Sequence, residues 1–204
     1  MGSVVATATP SRAREFDALL RAAEAVLARG GYEALHVDDV LDEAGLSTRA
    51  FYRHFRGKSE LFLELFRAEA ARAEERLRKK VAAARTPVEK IEAWVGSTLA
   101  LAYDGRLGRR TRLFLVERHV LASNFPDEVV RCVRLQLAPL EEAIVEGCAR
   151  GEFRGAEATA DALAIHHLCA GLMTDRLLGT GALAREDAVA LTTRFALTTL
   201  RHGA

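Results

Sequence analysis

Residues Val37–Phe55 read VDDVLDEAGLSTRAFYRHF. Val40, Leu41 and Ala44 fall on one side at helical spacing, so Val37–Ala44 predicts a short helix. Gly45-Leu46 breaks it with a tight turn. Ser47 then caps a second helix whose buried face carries Phe51 and Phe55, four residues apart. Arg56-Gly57 stops that helix. A short helix, a glycine turn and a serine-capped second helix have the anatomy of a helix-turn-helix. In that motif the second helix enters the major groove of DNA and offers its N-terminal residues to base edges. Thr48 and Tyr52 share one outward stripe, and Arg49 and Arg53 share the neighbouring one. Hydroxyl and guanidinium groups suit phosphates and guanine edges. The same spacing also suits a plain helical hairpin with a polar face.

The surrounding charge favours DNA. From Ala44 to Ser59 there is no acidic residue, while Arg49, Arg53, His54, Arg56 and Lys58 lie in that window. A local cationic strip is what phosphate binding needs, although a merely solvated basic face has the same composition. The formal net charge of the whole chain is only +1 and decides nothing.

Upstream, Phe16, Leu19, Leu20, Ala23, Val26 and Leu27 predict a helix capped by Ser11 and stopped by Gly30-Gly31. Residues 1–11 are small, polar and threonine-rich, without the charged start and apolar run of a signal peptide, and read as a frayed tail. Downstream, Leu61, Phe62, Leu65, Phe66, Ala70 and Leu77 stripe a long helix from Lys58 to Arg85, whose charged end reads as solvated. Thr86-Pro87-Val88-Glu89 is a capping-box start for a helix reaching Tyr103. Further helices are expected over Leu107–Ala122, over Asp127–Arg150 with a kink at Pro139, and over Ala158–Leu178 and Arg185–Arg201. The expectation is all-α with about nine helices: a helix-turn-helix unit at 12–57 and a larger helical part at 58–204. No stretch alternates with a strand's period, and no internal repeat is present.

With 50% hydrophobic and 28% charged residues the chain is an ordinary globular protein, not a disordered one. No apolar run reaches membrane-spanning length, so no membrane partner is expected and the cytoplasm is the expected location. Cys132, Cys148 and Cys169 are odd in number and far apart, against a disulfide framework or zinc site. They read as buried small hydrophobes, with a redox sensor as the alternative. His166-His167 point about a hundred degrees apart on a helix and are poor joint metal ligands, and Glu117 with His119 is also a weak metal spacing. There is no G-x-S-x-G, H-E-x-x-H or P-loop, and Gly179-Thr180-Gly181 lacks the strand and third glycine of a dinucleotide loop. No catalytic residues, metal or cofactor are expected, and the chain is not read as an enzyme.

The stretch Ala23–Leu65 resembles the DNA-binding domain of TetR-family transcriptional regulators. The matching pieces are Ala28-Arg29-Gly30-Gly31-Tyr32, Val40 through Ala44, Gly45-Leu46-Ser47, Phe51-Tyr52-Arg53-His54-Phe55, then Lys58 and Leu61. A weaker likeness continues at Glu146-Gly147 and Gly151-Glu152-Phe153-Arg154. The resemblance implies that the Tyr52 hydroxyl and the His54 ring bind phosphates. Lys58 would meet a phosphate at the start of the fourth helix, where the helix dipole also favours an anion. Ser47 would cap the recognition helix, and Thr48 and Arg49 would read bases. Three positions depart from the family pattern. His36 stands where a threonine or serine usually caps the second helix, Asp38 carries no contact over, and Ala50 replaces a common hydroxyl residue and removes one expected phosphate bond.

The resemblance also assigns dimerisation to the last two helices. Ala160, Leu163, Ala164, His167, Leu168, Gly171 and Leu172 offer a face with small residues, and Leu191, Phe195 and Leu200 add bulk. Leu163, His167, Gly171, Leu191 and Phe195 are the interface candidates; closing the monomer's own core is the alternative use of these helices. A ligand pocket would lie among residues 58–150, with Phe62, Phe66, Trp94, Tyr103 and Phe114 as candidate walls, although for any one of them ordinary core packing is the first expectation. The basic run Arg106–Arg112 reads as surface. The expected function is a sequence-specific repressor, dimeric on a palindromic operator in double-stranded DNA and released by a small, mostly hydrophobic effector of unknown identity. A constitutive or architectural DNA-binding protein is the alternative. A helical enzyme or carrier that has lost DNA function is a more distant one, opposed by the intact Tyr52, His54 and Lys58.

Overall fold

The computed structural model describes residues 9–181 and 183–202, with the side chains of 9–11 and 106 left aside. These residues form ten helices and no strand: α1 Thr9–Gly30, α2 Val37–Ala44, α3 Thr48–Tyr52, α4 Lys58–Ala82, α5 Pro87–Tyr103, α6 Gly105–Val116, α7 Arg118–Asn124, α8 Pro126–Ala149, α9 Ala158–Leu178 and α10 Arg185–His202. Helix α1 starts earlier than expected and takes in Ser11. Pro10 fits there because a first turn needs no backbone donor. Residues 1–8 of the expected tail lie outside the described residues.

The expected helix over Leu107–Ala122 is two helices. Glu117 leaves helical geometry at φ −90°, ψ 11°. His119 Nδ1 lies 3.3 Å from the Val116 carbonyl oxygen and competes for an acceptor the backbone would otherwise use. That division makes ten helices of the expected nine. Helix α5 starts as expected: Glu89 N–H donates to Thr86 Oγ1 at 3.1 Å and Thr86 N–H donates to Glu89 Oε2 at 3.3 Å.

Two apolar cores organise the chain. The first joins Leu19, Ala23, Val26, Val40, Phe51, Phe55, Leu61 and Phe62 with Leu121 and Val129 from α7 and α8. The second joins Leu77 and Val81 to Trp94, Leu99, Leu140, Ile144, Ile165, Cys169 and Leu200. Helix α4 runs through both. Its charged half, expected to be solvated, buries Ala73, Leu77 and Val81, and Arg78 reaches Glu142 of α8 at 3.3 Å.

Pro139 sits inside α8 and is buried. A proline lacks the N–H its helix would use, which loosens the carbonyls one turn back. The carbonyl that loses its donor is Leu135 O; the Trp94 indole N–H donates to the next one, Gln136 O, at 2.9 Å, so the fully buried tryptophan leaves no orphaned donor. At the end of α8 the Phe153 ring folds back over Gly147. A Cβ on Gly147 would meet two ring carbons at 2.1 Å. Gly151 at φ 72° makes the reversal, and Glu152 N–H donates to Gly147 O at 2.9 Å.

Cys132 and Cys169 are buried, Cys148 is half-buried and all three are free. Burial pushes the Cys169 thiol up to about 12, which removes thiolate character at neutral pH. His166 is pushed down to about 4, first by burial, then by the neighbouring His167 and by Arg118. Its ring meets the Trp94 indole edge at 6.4 Å. No helix among the described residues is long and apolar enough to cross a membrane.

Two expectations follow. Gly147→Ala forces Phe153 out of its seat and should cost about 1–3 kcal/mol by chemical denaturation; an unchanged midpoint contradicts the packing. His166 is neutral in the fold, so below pH 6.5 the unfolded chain binds the extra proton. Stability is therefore complete above pH 6.5 and falls as pH drops toward about 4, by an amount on the order of 3 kcal/mol. A His166→Leu variant should lack that part of the slope in melts at pH 7 and pH 4.5.

Candidate nucleic-acid interface

The helix-turn-helix is built from local chemistry. The N-cap of α2, His36, has extended backbone and makes no side-chain cap bond, but Asp38 and Asp39 in the first turn oppose the positive end of the helix dipole. Gly45 at φ 64° ends α2. Its N–H donates to Asp42 O at 3.3 Å, and Leu46 N–H donates to Leu41 O at 3.1 Å, a Schellman closure that only a residue tolerant of positive φ makes cheaply. Ser47 turns the chain at φ −82°, ψ 156°, and its Oγ accepts from Ala50 N–H at 3.3 Å. Phe51 and Phe55, both buried, dock α3 onto the first core with ring centroids 5.4 Å apart.

That docking leaves Ser47, Thr48, Arg49, Tyr52 and Arg53 exposed. Among the described residues no side chain is hydrogen-bonded or ion-paired to Thr48, Arg49 or the Tyr52 hydroxyl, and Tyr52 is 58% exposed. Ala50 is 2% exposed. Its position faces the core, so the expected loss of a phosphate contact there does not arise from the exposed face. Lys58 opens α4 with its Nζ 4.4 Å from the centroid of the Tyr32 ring, a cation–π seat. The Tyr32 hydroxyl lies 3.1 Å from the Ser59 hydroxyl. The lysine is thereby held over the Tyr32 ring at the start of α4.

Arg53 and His54 differ from Arg49 in being held. Arg53 Nη2 donates to both oxygens of Glu15 at 2.8 Å, and His54 Nε2 lies 3.3 Å from the same carboxylate. The His54 side chain is 6% exposed and is flanked by Phe16 at 5.8 Å and Phe55 at 6.1 Å. Arg12 donates to the Arg53 carbonyl at 3.2 Å, closing the end of α3. The Arg53 guanidinium, with His54 second, holds the Glu15 carboxyl below the usual carboxylate range. Glu15 thus stays ionised at neutral pH, and the clamp is lost only as pH falls through that lowered value. The sequence window of unopposed positive charge is therefore partly neutralised from α1. Glu15 was missed because it stands 38 positions from Arg53, where no local spacing reveals it.

The pocket candidates do not share one cavity. Phe62 and Phe66 pack on Phe114 at 5.4 and 5.7 Å in the first core. Trp94 is fully buried in the second. Tyr103 lies at the edge of the second core, its hydroxyl donating to Leu183 O at 3.0 Å and its ring under Arg176. The interface candidates are all exposed. Leu163, His167 and Gly171 are exposed along α9, and Leu191 and Phe195 along α10, with Phe195 54% exposed. Leu200 instead is buried in the monomer's own core.

Comparison with known proteins agrees with this geometry. Residues 19–65 match the family of bacterial regulatory proteins of the tetR type. The transcriptional repressor KstR of Mycobacterium tuberculosis is 30% identical over 78 residues, 38% of this chain and 36% of the repressor, so the chain spans about a third of that relative's length. The fatty acid metabolism regulator protein of Bacillus subtilis is 24% identical over 137 residues, 67% of this chain and 69% of that one. The crystal structure of Bacillus subtilis FadR in complex with stearoyl-CoA superposes with a TM-score of 0.69 at 23% identity, covering 93% of this chain and 99% of that one, which is a likeness of fold. The helix-turn-helix over α2 and α3 and the matched domain around it lead to one conclusion: residues 19–65 form a DNA-binding domain of the tetR family of bacterial regulatory proteins.

Proposed function

We propose that the chain is a cytoplasmic, homodimeric repressor that holds a palindromic operator and is released from it by a small, mostly hydrophobic effector. The observation that carries this reading is the outward face of α3, where Thr48, Arg49 and Tyr52 stand exposed and unpaired on a helix docked by Phe51 and Phe55. In this reading residues 12–57 bind DNA and 58–204 bind the effector and dimerise. Thr48 and Arg49 read bases, and Tyr52 and Lys58 hold phosphates. Arg53 and His54 reach phosphates only if the Glu15 clamp opens.

A recognition helix of five residues meets few base pairs, so two half-sites, hence two copies, supply the affinity. The exposed Leu163, Leu191 and Phe195 give the second copy an apolar surface. The stearoyl-CoA held by the Bacillus subtilis FadR structure supports an effector with an apolar arm. A constitutive DNA-binding protein without effector is the second reading; it is favoured by Trp94 and the Phe62, Phe66 and Phe114 stack filling the space expected for a pocket.

Selection of bound fragments from random DNA at near-physiological salt tests the main reading: an enriched palindrome supports it, and salt-sensitive binding without enrichment refutes it. On the selected site, Arg49→Ala should lose about 1–3 kcal/mol of discrimination at one base position. Lys58→Ala should instead weaken all sequences alike and lower the salt slope by about 1. Glu15→Gln should release Arg53 and His54, raising affinity for random DNA and steepening the salt slope by about 1 in fluorescence anisotropy. An unchanged slope would show that neither group reaches a phosphate.

A further inference from the structure

Between α1, α4 and α6 lies a groove of about 700 Å³, within the size range of small-molecule sites. Its apolar side is formed by Leu27, Leu65, Leu113 and Phe114. Its charge is one-sided, with four guanidinium groups against the carboxylates of Glu24 and Glu117. Arg110 is occupied, 2.9 Å from Glu24 of α1 and 3.1 Å from Glu69 of α4. The same two carboxylates hold Arg72 at 3.0 and 3.3 Å. Arg21, Arg109 and Arg112 are exposed and meet no carboxylate among the described residues. Helices α1 and α6 face each other across the groove and are bridged by Arg110.

The geometry points to a binding site here for an organic anion with an apolar arm, a carboxylate or phosphate ester on an aliphatic chain. This goes further than the effector-release reading and rests on it for its consequence. The headgroup pairs with Arg21, Arg109 and Arg112, whose planar forks match carboxylate and phosphate oxygens. The arm covers Leu27, Leu65, Leu113 and Phe114. A headgroup beside Arg110 competes with Glu24 and Glu69, so the ligand loosens the bridge between α1 and α6. Glu24 lies on the same helix as Glu15, nine positions and roughly 13 Å away at the α-helical rise. A shift of α1 at Glu24 therefore reaches the clamp on Arg53 and His54.

The test is isothermal titration of the full chain with sodium dodecanoate below its critical micelle concentration, with dodecanol as the uncharged control. Wild type should bind dodecanoate at one site per chain, more weakly as salt rises. An Arg109→Ser/Arg112→Ser double variant, changed only at exposed positions, should bind at least about tenfold more weakly with an unchanged melting temperature. Equal affinity in the double variant, equally tight dodecanol binding, or no binding of either dodecanoate or dodecyl phosphate overturns the site. Operator release is followed in parallel by anisotropy. Binding that is lost in the double variant but leaves the wild-type complex with DNA intact upholds the groove and overturns effector release instead.

Discussion

Helix α4 is the constraint on which the rest of the molecule depends. Its 25 residues run from Lys58, which residues 53–57 separate from α3, to Ala82, next to Val81 of the second core, a length of roughly 37 Å at the α-helical rise. No glycine or proline interrupts it, so it has none of the usual places to kink. Leu61, Phe62 and Leu65 tie its first half to α1 and α3, while Leu77 and Val81 tie its second half to α5 and α8. Arg67 adds a cross-link to Glu128 of α8 at 2.7 Å. On the proposed reading, a displacement of the helical body would be carried to Lys58 instead of being absorbed on the way.

Helix α1 is a second strut with a different kind of attachment. Its apolar face is buried, so it moves with the first core. Two of its carboxylates each hold a pair of cationic or imidazole groups: Glu15 holds Arg53 and His54, and Glu24 holds Arg72 and Arg110. These pairs are partly exposed, and such pairs add little to stability. Their consequence lies in the choice of partner, because each arginine pairs with a protein carboxylate only until a better anion arrives. On the readings proposed above, that anion would be a DNA phosphate near α3 and a ligand headgroup near α6. The same chemistry, at both ends of one rigid helix, gives the fold two positions where competition for a guanidinium changes geometry.

The parts readable from sequence are those encoded within a few residues. The Gly45 turn, the Ser47 cap and the Thr86–Glu89 capping box are each complete within a turn of chain, and each is present. The Glu146-Gly147 and Gly151–Arg154 likeness also has a local cause, since Phe153 needs the space above Gly147. What escaped the sequence depends on distant partners. Glu15 sits 38 positions from Arg53, and the groove joins residues more than 80 positions apart, as Arg110 and Glu24 are. The aromatic residues expected to wall a pocket share a large aromatic side chain and a place on segments expected to face each other. Packing divides them, because Phe62, Phe66 and Phe114 face the first core while Trp94 is committed to the second.

Burial then explains why so little of the surface is left for recognition. The long apolar faces of α4, α5 and α8 are consumed by the two cores, and even Leu200 near the end of α10 turns inward. Leu163 and His167 on α9 lie outside that packing, as do Leu191 and Phe195 on α10. Helices whose inner faces are already satisfied keep apolar groups in water only at a free-energy cost, on the order of 25 cal/mol per Å². Covering them with a second copy removes that cost and fixes the separation of two recognition helices at once. On the proposed reading, the surface that the monomer leaves unsatisfied and the short helix that needs a twin are answered together by a dimer whose geometry would set which DNA spacing it accepts.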